Sequence, residues 1–332
     1  MPSELALTSV DFHTAGIGMR LVTAGMPRLP GATIADKRRH FQAHFDHLRT
    51  GLCLAPRGHP SLLIAVQVEA VTPGAHFGLF FMYADGYYVS CGEATIGAAT
   101  IAVSRGLVAR TGDATRVLID TEAGPVETIA HGDAHRVAAV TIRWTPAFVL
   151  RREDLVKLPG LGEVPLDVSV GAGNVFAIIE APRLGVAVRR DAVDEIARLG
   201  MAARAAVNEQ LRVDGPGGGP VSIDNVIVHE PLAGGVSRNA LVWGPGQVDM
   251  APCGSGTCAR LALFHERGEL PLGGSFVSEG LSGLSFTGRI AGETAVGGRR
   301  AILPEVTGTA YVTGTSQLTF DPDDPLRHGL VS

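Results

Sequence analysis

The chain has 332 residues, 45% of them hydrophobic and 18% charged, and its 28 basic and 33 acidic side chains leave a net charge of −5. That is ample apolar material for packed cores and argues against wholesale disorder. With neither a basic face nor interleaved basic and aromatic residues, nucleic acid is excluded as a partner and a small polar substrate is expected.

Taken in chain order, Ile34–His47 reads as a helix with mixed apolar and basic faces, followed by strands over Ser61–Val68 and Phe77–Tyr83. A helix then begins at Cys91. Arg116–Asp120, Ala138–Trp144 and Val175–Glu180 read as strands, and Ala192–Leu211 carries apolar residues at helical spacing. Gly215–Pro220 (GPGGGP) is a loop, and it lacks the Gly-Lys-Ser/Thr ending of a phosphate-binding P-loop. Strands over Ile223–His229 and Ala240–Trp243 precede a second helix that starts at a cysteine, Cys253, and Thr309–Phe320 closes the chain as a strand. The 43 glycines imply many turns and bulges, as in a sheet-rich enzyme, and at ~100–200 residues per domain the length suggests two domains.

No apolar run approaches the ~18 residues of a membrane span, so no membrane partner is expected. Met1–Val10 lacks the basic flank and apolar stretch of a signal peptide. Four cysteines, at 53, 91, 253 and 258, are too few and too scattered for a disulfide scaffold. A cytoplasmic protein with free thiols is expected.

The most informative feature is internal. SCGEATIGAATIAVSRG, from Ser90, aligns with PCGSGTCARLALFHERG, from Pro252. In one register Cys91 matches Cys253, Gly92 matches Gly254, Thr95 matches Thr257, and Arg105–Gly106 matches Arg267–Gly268. The repeat predicts a duplicated unit of strand, Cys-Gly turn and a helix of about four turns ended by glycine. The fold class is therefore α+β, with two similar domains facing across a cleft.

A thiol at a helix start has its thiolate stabilised by N–H groups that lack intrahelical acceptors and by the helix dipole. The same N–H groups can hold a substrate carboxylate, and the adjacent glycine lets the backbone come close. Two such units give two tuned thiols, which is what inversion at an α-carbon requires: one group to remove a proton and another to supply one. No cofactor and no metal is needed for this chemistry. Cys53 and Cys258 read as inert small hydrophobes. A zinc site is disfavoured because the chain has no CxxC and no HExxH, and no histidine is placed as the partner of a cysteine nucleophile.

Six segments carry a family resemblance: DFHTAG (Asp11–Gly16) followed by Arg20, PRGHPS (Pro56–Ser61), GYYVSCGEATIG (Gly86–Gly97), GAGNVF (Gly171–Phe176), SRN (Ser237–Asn239) and DMAPCGSGT (Asp249–Thr257). In order and spacing they resemble the proline racemase family, which also holds 4-hydroxyproline epimerases and trans-3-hydroxyproline dehydratases. The resemblance implies a diaminopimelate-epimerase-like fold whose last strand returns to the first domain, with one domain over 1–120 plus 305–332 and the other over 121–304. It implies Cys91 and Cys253 as the two bases, and backbone N–H groups at Gly92, Glu93, Gly254 and Ser255 for the substrate carboxylate. Asp249 would meet the imino nitrogen. The chain departs from the family pattern at Glu93, where the family usually has histidine, and at Asn225, Met250–Ala251 and Gly16–Gly18.

The leading expectation is thus a racemase or epimerase acting on proline, a hydroxyproline or a related imino acid, as a monomer or homodimer. A trans-3-hydroxy-L-proline dehydratase is the alternative, and a binding protein without turnover the third. Retention of Cys253 speaks against the dehydratases, which commonly carry threonine there.

Overall fold

The computed structural model describes residues 5–215 and 217–331; the start of the Met1–Val10 segment and Pro216 of the glycine-rich loop lie outside the described residues. The chain divides into two units. One comprises the residues up to Thr14, Gly18–Ile142 and those from Thr309 onward, and the other comprises Ala15–Ile17 and Arg143–Gly308.

In the first unit run β1 (Leu5–Thr14), β2 (Ile17–Ala24), α1 (Ile34–Cys53), β3 (Leu63–Val68), β4 (Phe77–Tyr83), β5 (Gly86–Tyr88), α2 (Gly92–Ser104), β6 (Ala114–Thr121), β7 (Gly124–Gly132) and β8 (Val137–Arg143). The second unit holds β9 (Phe148–Leu158), β10 (Gly162–Gly171), β11 (Asn174–Glu180), α3 (Val193–Gln210), β12 (Asn225–Leu232), β13 (Val236–Trp243), β14 (Gln247–Asp249), α4 (Gly254–Glu266), β15 (Ser275–Glu279), β16 (Ser285–Val296) and β17 (Arg299–Gly308). Finally β18 (Ala310–Phe320) returns to pair antiparallel with β1, from Leu5 opposite Phe320 to Thr14 opposite Ala310.

The duplication read from the two Cys-Gly segments extends through the pairing scheme. In the first unit β2–β3 is parallel, β3–β4 and β4–β5 antiparallel, β4–β6 parallel and β6–β7 antiparallel. In the second, β11–β12 is parallel, β12–β13 and β13–β14 antiparallel, β13–β15 parallel and β15–β16 antiparallel. Each of the first parallel pairs is bridged by a long helix, α1 or α3, because parallel neighbours need a crossover.

The expected boundary at residue 121 falls inside the β6–β7 hairpin, where Thr121 pairs with Gly124, so the structure moves it to 142/143. The second boundary moves from 304/305 to 308/309, since β17 continues to Gly308 against β16.

Helix α1 starts where Thr33 caps it. The Thr33 side chain accepts from the Asp36 N–H at 3.1 Å and the Asp36 carboxylate accepts from the Thr33 N–H at 3.1 Å, a reciprocal capping box. The helix runs to Cys53 rather than stopping at His47, passing through a non-helical residue at Phe45. Its buried Phe41, Leu48 and Leu52, at near-heptad spacing, pack with Ile64 and Val66 of β3 and Phe80 and Met82 of β4. Each such side chain stabilises the fold by roughly 1.5–3 kcal/mol. In the second unit Ile196, Leu199, Ala203, Ala206 and Val207 of α3 pack with Val226 and Val228 of β12.

Helices α2 and α4 are different. Gly92–Val103 of α2 is buried on every side, and α4 is buried from Gly254 to Leu263. All-round burial suits their small and aliphatic composition and fixes their N-termini inside each unit. No helix among the described residues is long and apolar enough to cross a membrane.

Candidate active site

Both cysteines of the repeat occupy the same structural position. Each follows a three-residue strand, β5 or β14, and is the N-cap of a 13-residue helix, α2 or α4. Each helix is followed by a left-handed glycine, Gly106 at φ +73° and Gly268 at φ +74°, which lets the chain reverse without a Cβ penalty. The helix length of about four turns predicted from the repeat is found in both units.

In the first unit Cys91 has extended backbone angles, φ −143° and ψ 113°, and makes no side-chain capping bond to the helix. Its thiol Sγ lies 3.8 Å from Oε2 of Glu93. Gly92 and Glu93 are the first two residues of α2, where N–H groups have no intrahelical acceptor. Glu93 is 5% exposed, and the Thr14 hydroxyl donates to its backbone carbonyl at 2.9 Å. Thr95 Oγ1 donates to the Cys91 carbonyl at 2.7 Å.

The second turn has another hand. Cys253 sits at φ +59° and ψ 108°, a region that L-residues rarely adopt. That conformation brings Sγ over the helix start, where it accepts the Gly256 N–H at 3.3 Å. The same sulfur lies 3.6 Å from the Ser255 hydroxyl. The thiol–helix contact expected at both cysteines is therefore made at Cys253 alone of the two; at Cys91 the side chain does not cap the helix and a carboxylate adjoins the thiol. Gly254 and Ser255 open α4. Asp249 ends β14, its carboxylate accepting the Ala251 N–H at 2.8 Å, with a carboxylate oxygen within 4.8 Å of the Cys253 sulfur.

The remaining cysteines behave as core. Cys258 is fully buried in α4, and burial pushes the Cys53 thiol up to about 12. Asn225 begins β12 and donates to the Val175 carbonyl at 3.5 Å. Sequence reasoning passed over Arg260, which is fully buried in α4 with its guanidinium bonded to Ser237, Asn239 and Ser278. The available signal was an arginine inside an otherwise small and aliphatic helical segment.

The duplicated arrangement defines the diaminopimelate-epimerase-like α+β fold, with one Cys-Gly helix start per unit. The family described as proline racemase matches residues 9–331. A proline racemase of Clostridioides difficile is 36% identical over 337 residues, covering 100% of this chain and 99% of that protein. A trans-3-hydroxy-L-proline dehydratase of Burkholderia cenocepacia is also 36% identical, over 334 residues, with 100% and 99% covered. The crystal structure of a hydroxyproline epimerase from Agrobacterium vitis, with bound trans-4-hydroxy-L-proline, superposes with a TM-score of 0.92 at 28% identity, covering 100% of this chain and 96% of that one. The chain belongs to the proline racemase family.

Proposed function

We propose that the chain inverts the configuration at Cα of proline, a hydroxyproline or a related imino acid, using Cys91 and Cys253 as an acid/base pair and no cofactor. The observation that carries the reading is the duplication itself: each unit presents a Cys-Gly turn at the start of a buried helix after a three-residue strand. Inversion takes a proton from one face of Cα and delivers a proton to the other. One cysteine, as thiolate, removes the Cα proton and becomes a thiol; the other thiol gives up its proton and becomes a thiolate. The reverse reaction starts from that exchanged state, so both groups work in both directions.

The other expected residues take supporting roles. N–H groups at Gly92, Glu93, Gly254 and Ser255 are assigned to the substrate carboxylate, where they offset the negative charge that builds up as Cα loses its proton. Asp249 is assigned to the imino nitrogen. Glu93 brings a carboxylate that favours the cationic side of the substrate. All four cysteines are free, which suits a reducing cytoplasm, and we place the enzyme there.

The test is proton NMR in D2O with L-proline, trans-4-hydroxy-L-proline and trans-3-hydroxy-L-proline in separate tubes. Loss of the α-proton signal with the ring intact, together with appearance of the opposite epimer, supports the reading and names the substrate. Conversion of the 3-hydroxy compound to an unsaturated ring assigns the chain to the dehydratases instead. No exchange with any of the three overturns the assignment to these imino acids.

A further inference from the structure

Behind the Cys253 turn lies a buried cation that the reaction scheme leaves unused. Arg260 is seven residues past Cys253, which puts it on the same face of α4, and helical side chains lean back toward the N-terminus. Nη1 donates to the Ser237 hydroxyl at 3.1 Å and to the Ser237 carbonyl at 3.4 Å. Nη2 donates to Asn239 Oδ1 at 2.5 Å and to the Ser278 hydroxyl, while Nε is buried without a partner. The guanidinium carbon stands 5.1 Å from the centre of the Phe276 ring. Ser278 Oγ is in turn 2.9 Å from Thr257 Oγ1 and 3.4 Å from the Pro252 carbonyl, and Thr257 Oγ1 is 2.8 Å from the Cys253 carbonyl. A continuous polar chain thus runs from Arg260 to both sides of the Cys253 turn.

No carboxylate pairs with Arg260 among the described residues. Those on the neighbouring strands are engaged elsewhere: Glu153, Asp167 and Glu180 with Arg267, Glu279 with Arg238, and Glu305 with Arg289. Two titratable groups of the second unit adjoin the network and the turn. His229 on β12 is held down to about 3 by burial first and then by Arg260, so it is neutral and adds no charge. Asp249, within 4.8 Å of the Cys253 sulfur, opposes a thiolate. Burial pulls the Arg260 guanidinium itself down to about 9, and the charge of Cys253 pulls the other way. Electrostatic coupling is mutual, so a cation favoured by a thiolate also favours that thiolate.

We propose that Arg260 is a positioning residue for Cys253: its polar chain holds the left-handed turn, and its uncompensated charge favours the thiolate. The inference rests on Cys253 being a working thiol, yet its readout needs no turnover, so the two readings fail separately. The rate of Cys253 alkylation by iodoacetamide is measured against pH, resolved by peptide mass spectrometry, with Cys91 in the same sample as reference. Arg260→Met is expected to slow Cys253 about tenfold at pH 7 and move its profile about one pH unit upward, with Cys91 unchanged. Arg260→Lys, which keeps the charge, should stay within about threefold of the parent. Asn239→Asp sets a carboxylate on the guanidinium at nearly unchanged shape, and it is expected to shift the Cys253 profile upward even where Arg260→Met does not fold. An unmoved Cys253 profile in Asn239→Asp, equal slowing by the Lys and Met variants, or equal shifts at Cys91 and Cys253 would each overturn the proposal.

Discussion

The Cys91 thiol and the Glu93 carboxylate stand 3.8 Å apart, both buried, at the first turn of the same helix. A carboxylate beside a thiol disfavours its ionisation, because removing the proton places two like charges side by side. Glu93→Gln keeps the shape and removes the charge. It should therefore raise the alkylation rate of Cys91 at pH 7 about threefold to tenfold. Peptide-resolved iodoacetamide labelling measures it.

On the proposed acid/base pairing, Cys91 and Cys253 are each expected to be indispensable. Cys91→Ser and Cys253→Ser should each lower formation of the opposite epimer by about a thousandfold, since a hydroxyl is a far weaker acid and base near neutrality. The check is the initial rate at which the opposite epimer appears. A variant that keeps more than about a tenth of the parent rate would remove that cysteine from the proton-transfer pair.

Gly97 lies in α2 where a Cβ would overlap the ring of Phe12 on β1. In the second unit the aligned helix position is Ala259, and it is the strand residue Gly171 that lacks a side chain, because a Cβ there would press on the α4 backbone at Ser255 and Ala259. The same close approach is made by opposite partners in the two copies. Gly97→Ala should destabilise the fold by about 1–3 kcal/mol, and Gly97→Ala with Phe12→Leu should recover part of the loss. Urea unfolding of the three variants measures the coupling.

His229 is buried and held down to about 3, against 6.5 for the free side chain. The unfolded chain therefore takes up this proton below pH 6.5 while the folded chain does not until near pH 3, so stability falls as pH drops through that window. Between pH 7.5 and 5 the loss from this residue is about 2 kcal/mol. His229→Asn should flatten the fall in melting temperature over that range relative to the parent, which a thermal unfolding series resolves. Equal slopes would show that His229 is not the group that titrates.

The Cys-Gly turns and their helices were legible in the sequence because their signals are local: cysteine, glycine, a short apolar run and a closing glycine within about 16 residues. Strand β9 was not. Its centre, Arg151–Asp154, is charged, it bulges against β10, and Glu153 takes a φ of +50°, so partner strands rather than its own pattern hold it extended. Asp11, Arg20 and Arg57, which helped carry the family resemblance, turn out to tie strands together. Arg20 bonds Asp11 at 2.7 Å and the Arg57 carbonyl at 2.7 Å, and Arg57 reaches Asp324 near the C-terminus at 2.8 Å. Arg260 escaped notice because its partners lie 18–23 residues away on β13 and β15, a distance over which side-chain spacing carries no pattern.

The left-handed backbone at Cys253 sets the two halves of the duplication on different evolutionary footings. A side chain held in that region costs about 1–3 kcal/mol, which glycine would release. Cys91, with its extended backbone, carries no such load. Cys253→Gly should accordingly melt no lower than the parent, whereas Cys91→Gly should melt lower, as differential scanning calorimetry would read. Selection for robustness alone would then erode the second thiol and spare the first. On the proposed two-thiol reading, lineages that drift away from catalysis are expected to lose the residue at 253 first.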